Sequence, residues 1–261
     1  MHAYSFRQQL VDGDAPVGAW SVVGHPVVAE LLATEDFDFL VLDAEHSENT
    51  IDDVADGIRA VDAADAGTAP VVRVGSADPA ELRRVLDLGP AGVVVPQIES
   101  AEEAREAVAA TRYPPEGVRG VAGGRASTYG RDVAAYVDDA NDRVATVLQV
   151  ETAGAVQDVE AIAGLDGLDA LFVGPADLSA RLDAFGEYDS EGFRGAVDRV
   201  VEAAADAGVS VGTLATTPEQ VAVRRDDWGM DFVVTGTDVS YLRAGAREFL
   251  DATEEELDAV E

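Results

Sequence analysis

Residues 70–110 read PVVRVGSADPAELRRVLDLGPAGVVVPQIESAEEAREAVAA. A β-branched run, Pro70–Val74, gives way to an amphipathic segment, Pro79–Leu88, and the cycle repeats with Gly92–Val95 and Ala101–Ala110. Short strands followed by helices that return the chain make parallel pairs joined by right-handed crossovers. The alternation continues in both directions. Strands are expected at Val17–Val23 and Phe37–Leu42 before this stretch, and at Thr146–Val150, Ala170–Val173, Val209–Leu214 and Phe232–Thr235 after it. Helical patterns fall at Ala153–Ala163 and Thr217–Asp226. Such a series in 261 residues favours closure into a single (β/α)8 TIM barrel, an α/β fold that takes about 250 residues, over an open sheet. No linker-like or low-complexity segment divides the chain, so residues 1–261 are expected to form one domain.

The composition excludes several functions. Against 51 Asp and Glu stand 18 arginines and no lysine, for a formal charge of −33. Nucleic acid needs a basic footprint, and an anionic membrane surface would repel this chain. The acids fall where helix exteriors should be, as in Asp52, Asp53, Asp56, Glu102, Glu103 and Glu106. A solvated surface screened by a cytoplasm of very high salt accounts for them; the lack of lysine resembles halophilic proteins. Without lysine there is no Schiff base and no pyridoxal phosphate linkage. Without cysteine there is neither a thiolate nucleophile nor a disulfide. Carbon–carbon bond chemistry on this chain would need a metal ion as electron sink. The segment Met1–Arg7 lacks an apolar signal-peptide core, and no apolar run approaches membrane-spanning length, so a soluble, cytoplasmic protein is expected.

In a barrel, chemistry collects where strands end. The second strand runs into Asp43, Glu45 and His46, the third ends in Arg73, the fifth in Gln149 and Glu151, and the sixth leads through Gly174 to Ala176 and Asp177. Glu151 and Asp177 follow consecutive strands and should be neighbours at the mouth. An oxygen-rich pair without sulfur suits Mg2+ or Mn2+, with Co2+ also possible, and leaves coordination positions for water and substrate. Taken singly, each acid is explained as well by helix capping. Of the three histidines, His2 is terminal and His25 precedes Pro26, whereas His46 lies beside two carboxylates and is placed to exchange protons. Arg73, inside an apolar run, is either an ion-pair partner for those acids or an anion receptor, and the second reading is preferred. The turn at Gly174–Leu178 offers backbone N–H groups to a carboxylate.

Two stretches break the rhythm. Residues 111–130 carry Pro114, Pro115, five glycines and three arginines, and the part around Gly120, Gly123 and Gly124 reads as a flexible lid rather than a nucleotide cradle. Residues 181–192 are similarly irregular and are expected to bear on the acceptor. Both lie between strands, where barrels place lids and specificity elements.

The strings Leu42–Asn49 (LDAEHSEN), Val71–Val74 (VVRV), Thr111–Gly120 (TRYPPEGVRG) and Phe172–Leu178 (FVGPADL) resemble the HpcH/HpaI family, metal-dependent (class II) pyruvate aldolases of the phosphoenolpyruvate/pyruvate barrel superfamily. The resemblance extends from Gly18 through Gly236. It implies metal ligands at Glu151 and Asp177, a base at His46, an enolate-stabilising arginine at Arg73, a glutamine near the metal at Gln149 and supporting acids at Asp43 and Glu45. Ala176 stands where serine or asparagine is common, at a position expected to act through backbone N–H groups. The family's histidine-partnered aspartate aligns with Asp87, which ends a helix and so belongs at the far end of the barrel. The resemblance therefore implies that it reaches the site from a neighbouring subunit of a homo-oligomer, a hexamer by the family's habit. The implied reaction is reversible cleavage of a 4-hydroxy-2-oxo acid, such as a 2-keto-3-deoxy sugar acid or 4-hydroxy-2-oxoheptanedioate, to pyruvate and an aldehyde. An acyl-CoA lyase of the malyl- or citryl-CoA type and a non-catalytic oxo-acid or metal-binding barrel are the alternatives.

Overall fold

The computed structural model describes residues 3–259, so His2 lies outside it. Helix α1 (Ala3–Asp12) precedes strand β1 (Val17–Ser21), and α2 (Pro26–Ala33), β2 (Phe39–Asp43), α3 (Ile51–Ala64), β3 (Ala69–Arg73), α4 (Pro79–Leu86), β4 (Gly92–Val95) and α5 (Ala101–Thr111) follow. After a long connection come α6 (Val133–Arg143), β5 (Ala145–Val150), α7 (Ala153–Gln157), α8 (Val159–Ala163), β6 (Ala170–Val173) and α9 (Pro175–Arg181). The chain ends with α10 (Glu191–Ala207), β7 (Ser210–Ala215), α11 (Pro218–Ala222), β8 (Phe232–Thr237) and α12 (Asp238–Asp258). The strands pair in parallel and in sequence order, and β8 closes onto β1. This is the (β/α)8 barrel that the alternation predicts.

Side chains along a strand point alternately to opposite faces, and the interior takes every second residue. Phe39, Val41, Ala69, Val71, Ala145, Val147, Ala170 and Phe172 fill the barrel, while Leu40, Leu42, Val72, Leu148 and Leu171 pack outward against helices. Added side-chain carbons at Gly18 and Gly212 would strike the rings of Phe39 and Phe232, so these glycines make room for the aromatic layer. Helix α1 plugs the base, with Phe6 4.6 Å from Phe39 between ring centroids.

Element ends shift by up to two residues from the sequence reading, as where β2 starts at Phe39 and α4 ends at Leu86, and three elements show their differences most plainly. β1 stops at Ser21 instead of Val23 because the N–H groups of Val22 and Val23 bond the Asp238 carboxylate rather than a neighbouring strand. The helix expected at Ala153–Ala163 is two, broken at Asp158, whose carboxylate accepts from Ala101 N. The pattern at Thr217–Asp226 gives α11 followed by a wider, π-helical turn, Val223–Asp227.

The largest correction concerns residues 111–130. α5 runs back from the mouth, so the segment after it starts at the base. There Thr111 Oγ1 lies 2.8 Å from Thr146 Oγ1, Arg112 pairs with Asp169, and Arg119 stacks over Tyr113 at 4.5 Å. Arg125 pairs with Asp62 and donates to Leu88 O. The glycine-rich stretch is fastened under this chain's own barrel and is not a lid over its mouth.

Candidate active site

The period-two alternation that fills the barrel also decides what its mouth presents. Continuing the inward set past Val41, Val71, Val147 and Phe172 places Asp43, Arg73, Gln149, Glu151 and Gly174 on the inner face. These residues line one cavity of about 280 Å3 at the C-terminal ends of the strands, together with His46, Ala176 and Asp177. A larger cavity, about 440 Å3, opens at the base beside Gly89, Pro90 and Arg125.

Register brings Asp43 directly opposite Arg73 on neighbouring strands. The arginine donates from Nε to Asp43 Oδ1 at 2.9 Å and from Nη2 to Oδ2 at 2.5 Å, and Nη1 lies 2.8 Å from Glu45 Oε2. Burial works to raise the Asp43 carboxyl, but hydrogen bonds and charge from Arg73 outweigh it and hold the group below its usual range. Burial prevails at Glu45, which is raised. Trp20 completes the arrangement: its indole N–H donates to Asp43 Oδ2 at 3.2 Å, and its ring lies 4.7 Å from the guanidinium carbon. The ion-pair reading of Arg73, the less favoured of the two in the sequence, is thus realised, and the side chain still borders the cavity.

Glu151 is differently provided for. It is 1% exposed, accepts from Gln97 N at 2.8 Å and Gln149 Nε2 at 2.9 Å, and forms no ion pair with the described residues. Burial first, then the charges of Asp177 and Glu45, push its carboxyl up to about 7 against the Gln97 hydrogen bond and the charge of Arg73. Helix capping does not explain this acid, because Thr152 caps α7. Nor does Asp177 cap α9, whose cap is Gly174. Gln97 holds its place through a left-handed backbone, φ 56°, and its side chain accepts from Arg181 Nη2 at 3.0 Å. At Gly174 an added side-chain carbon would overlap Glu151 Oε2, so glycine leaves the carboxylate its present position.

This donor set fits a hard divalent cation. A buried carboxylate has no ion pair with the described residues, a second carboxylate lines the same cavity, and Gln149 Oε1 is buried without a hydrogen-bond partner. No cluster of three or more His, Cys, Asp or Glu groups suited to an ion occurs among the described residues, so water and substrate would supply the other positions.

His46 stands at the rim, its side chain 64% exposed and Nε2 3.7 Å from Glu45 Oε1. Asp87 does not join the set. It caps the C-terminal end of α4 at the base, with Arg119 Nη2 3.5 Å away. Sequence reading missed Trp20, Gln97 and the wall opposite the acids, formed by Val22, Leu214, Thr216, Thr237 and Tyr188. Period-two counting from Gly18 and Gly212 reaches Trp20, Val22, Leu214 and Thr216; no sequence signal marks the Gln97 backbone.

The model of the family described as HpcH/HpaI aldolase/citrate lyase matches residues 17–244. A hydroxypyruvate/pyruvate aldolase from Chromohalobacter salexigens is 39% identical over 240 residues, covering 91% of this chain and 93% of the relative. A 5-keto-4-deoxy-D-glucarate aldolase from Escherichia coli is 36% identical over 247 residues, covering 94% and 95%. Among solved structures, an HpcH/HpaI aldolase/citrate lyase family protein from Burkholderia cenocepacia superimposes with a TM-score of 0.91 at 39% identity, covering 96% of this chain and 99% of its own. With its barrel, its strand-end acids and these likenesses, the chain belongs to the HpcH/HpaI aldolase/citrate lyase family and is a carbon–carbon lyase of the aldolase kind.

Proposed function

We propose that this aldolase reversibly cleaves a 4-hydroxy-2-oxo acid, of the 2-keto-3-deoxy sugar acid or 4-hydroxy-2-oxoheptanedioate type, into pyruvate and an aldehyde. The observation that carries the reading is Glu151, buried without a cation beside Asp177 in a cavity that Arg73 also borders. The names of the curated relatives, aldolases of hydroxypyruvate/pyruvate and of a keto-deoxy sugar acid, support the substrate class. The family generally depends on a divalent metal. Glu151 and Asp177 would hold Mg2+, Mn2+ or Co2+, which would supply an electron sink for the carbanion left when the C3–C4 bond breaks.

The chain's own groups do the rest. Arg73, fixed by Asp43, Glu45 and Trp20, presents positive charge to the enolate oxygen without having to reorganise. The N–H groups of Ala176 and Asp177, in the first turn of α9, orient the substrate carboxylate, and Gln149 offers a polar contact beside Glu151. His46 takes the proton of the 4-hydroxyl in cleavage and returns it to the alkoxide in addition, with Glu45 behind it. Asp87 serves His46 from a neighbouring subunit of a homo-oligomer, of hexameric form. The exposed apolar side chains of α12, with Phe249 79% and Leu242 73% accessible, support such association. The acidic surface fits a salt-rich cytoplasm, and no described helix is long and apolar enough to cross a membrane.

Pyruvate release from a 4-hydroxy-2-oxo acid, followed with and without a chelator, tests the reading. Turnover should vanish on complete metal removal and return with Mg2+ or Mn2+; turnover that survives removal overturns it. Light scattering with Asp87→Asn kinetics tests the shared site.

A further inference from the structure

The cavity has two unlike halves. Strands β2, β3, β5 and β6 bring Asp43, Arg73, Glu151 and, just beyond β6, Asp177, whereas β7, β8 and the loop before α10 bring Thr216, Thr237 and Tyr188, none of them charged. We propose that this second wall receives the aldehyde, and that the aldehyde is a short, uncharged hydroxyaldehyde, selected against carboxylated ones. The proposal rests on the pyruvate aldolase reading and names the partner that reading leaves open.

Arg73 is the one arginine among the residues lining the cavity, and Asp43 and Glu45 already occupy its guanidinium. A carboxylate on the aldehyde would leave water for a wall on which this chain's lining side chains offer it no unpaired arginine. Neighbouring arginines do not change this. Arg181 is taken by Gln97 and Glu99. Arg224 lies behind the wall, 3% exposed, its guanidinium 3.5 Å from the Trp228 ring centroid and 5.0 Å from that of Tyr188.

The same wall has what a hydroxyl group needs. Thr216 Oγ1 donates to Gln220 Oε1 at 3.1 Å, which leaves its oxygen able to accept. Thr237 Oγ1 accepts from Ser240 N at 3.2 Å, which leaves its proton able to donate. Tyr188 adds a phenol on a ring braced by Phe193 at 5.3 Å and Trp228 at 6.0 Å. Uncharged donors and acceptors discriminate by pairing with hydroxyls, and an unpaired carboxylate is penalised.

The test uses the full-length, Mg2+-loaded protein. Exchange of pyruvate methyl protons in D2O needs only enolate formation and reports on the underlying reading. Rates of pyruvate addition to glycolaldehyde and glyceraldehyde are then compared with those to glyoxylate and succinate semialdehyde. Ligand-observed NMR follows binding of the same aldehydes to the pyruvate-loaded protein. The expected result is a kcat/KM at least about tenfold higher for the neutral aldehydes, with binding in the same order, and a shift of about tenfold toward succinate semialdehyde in Thr216→Arg. Exchange together with equal or better use of the carboxylated aldehydes overturns the inference and leaves the aldolase reading standing. Absence of both exchange and addition removes the two together.

Discussion

Asp169 and Glu151 are both buried acids, 6% and 1% exposed, at opposite ends of neighbouring strands. Asp169, just before β6 at the base, accepts from Arg7 Nε at 2.7 Å, Arg112 Nη2 at 2.6 Å and Thr146 N at 2.8 Å. Glu151, just after β5 at the mouth, has two neutral donors and no ion pair with the described residues, Arg73 acting on it only from a distance. Burying an acid costs free energy in both places, but only the first is compensated within the chain. A buried acid whose partners are complete belongs to the fold, and one left short marks where a cation would be held. The TRYPPEGVRG string that identifies the family lies largely at the completed end, through Arg112 and Arg119, so recognition and chemistry rest on different parts of the molecule.

The contrast can be broken most directly by Glu151→Gln. Retro-aldol rates should fall about a thousandfold, while the melting temperature holds or rises, because an amide of the same shape removes an uncompensated charge. A parent-like rate would end the distinction. Asp169→Ala should do the reverse in kind: urea unfolding should show a loss of about 3–5 kcal/mol from stranding Arg112, with little change in the rate per folded molecule.

The third expectation follows from titration. Glu151 has a folded pKa of about 7 against 4.5 for the free group, so the folded protein holds the extra proton between those values. Its stabilising contribution is therefore complete below about pH 4.5 and is lost as pH rises through 7, a swing of about 3 kcal/mol in metal-free protein. Denaturation across that range should show the slope in the parent and its loss in Glu151→Gln. Gly174→Ala, which crowds the Glu151 carboxylate, should weaken Mg2+ binding about tenfold by calorimetry; unchanged affinity would show that the carboxylate can give way.

Salt should have the smallest differential effect. Screening a charge of −33 should raise the melting temperature by about 2–4 °C for each kcal/mol of repulsion removed, equally in the parent and Glu151→Gln, since that acid is shielded from solvent. A melting temperature independent of salt would count against the high-salt reading.

The barrel was legible because its signal is periodic: alternating strands and amphipathic helices repeat from Val17 to Thr237, and counting by twos carries Asp43, Arg73, Gln149 and Glu151 to one rim. What the sequence concealed depends on long-range placement. A loop rich in glycine and proline looks alike above or below a barrel, and only the direction of α5 decides that residues 111–130 lie beneath. Asp158 ends α7 by engaging α5, a helix 57 residues away along the chain. Whether Arg73 binds acids or substrate turns on rotamers and register, which spacing does not specify.

Gln97 has a use in redesign. One residue grips Glu151 with its amide and Arg181 with its side chain, so the acid at the cavity floor and the start of the segment bearing Tyr188 share a single anchor. A graft intended to change which aldehyde is accepted should therefore begin after Arg181. Cut earlier, it would loosen the carboxylate along with the wall.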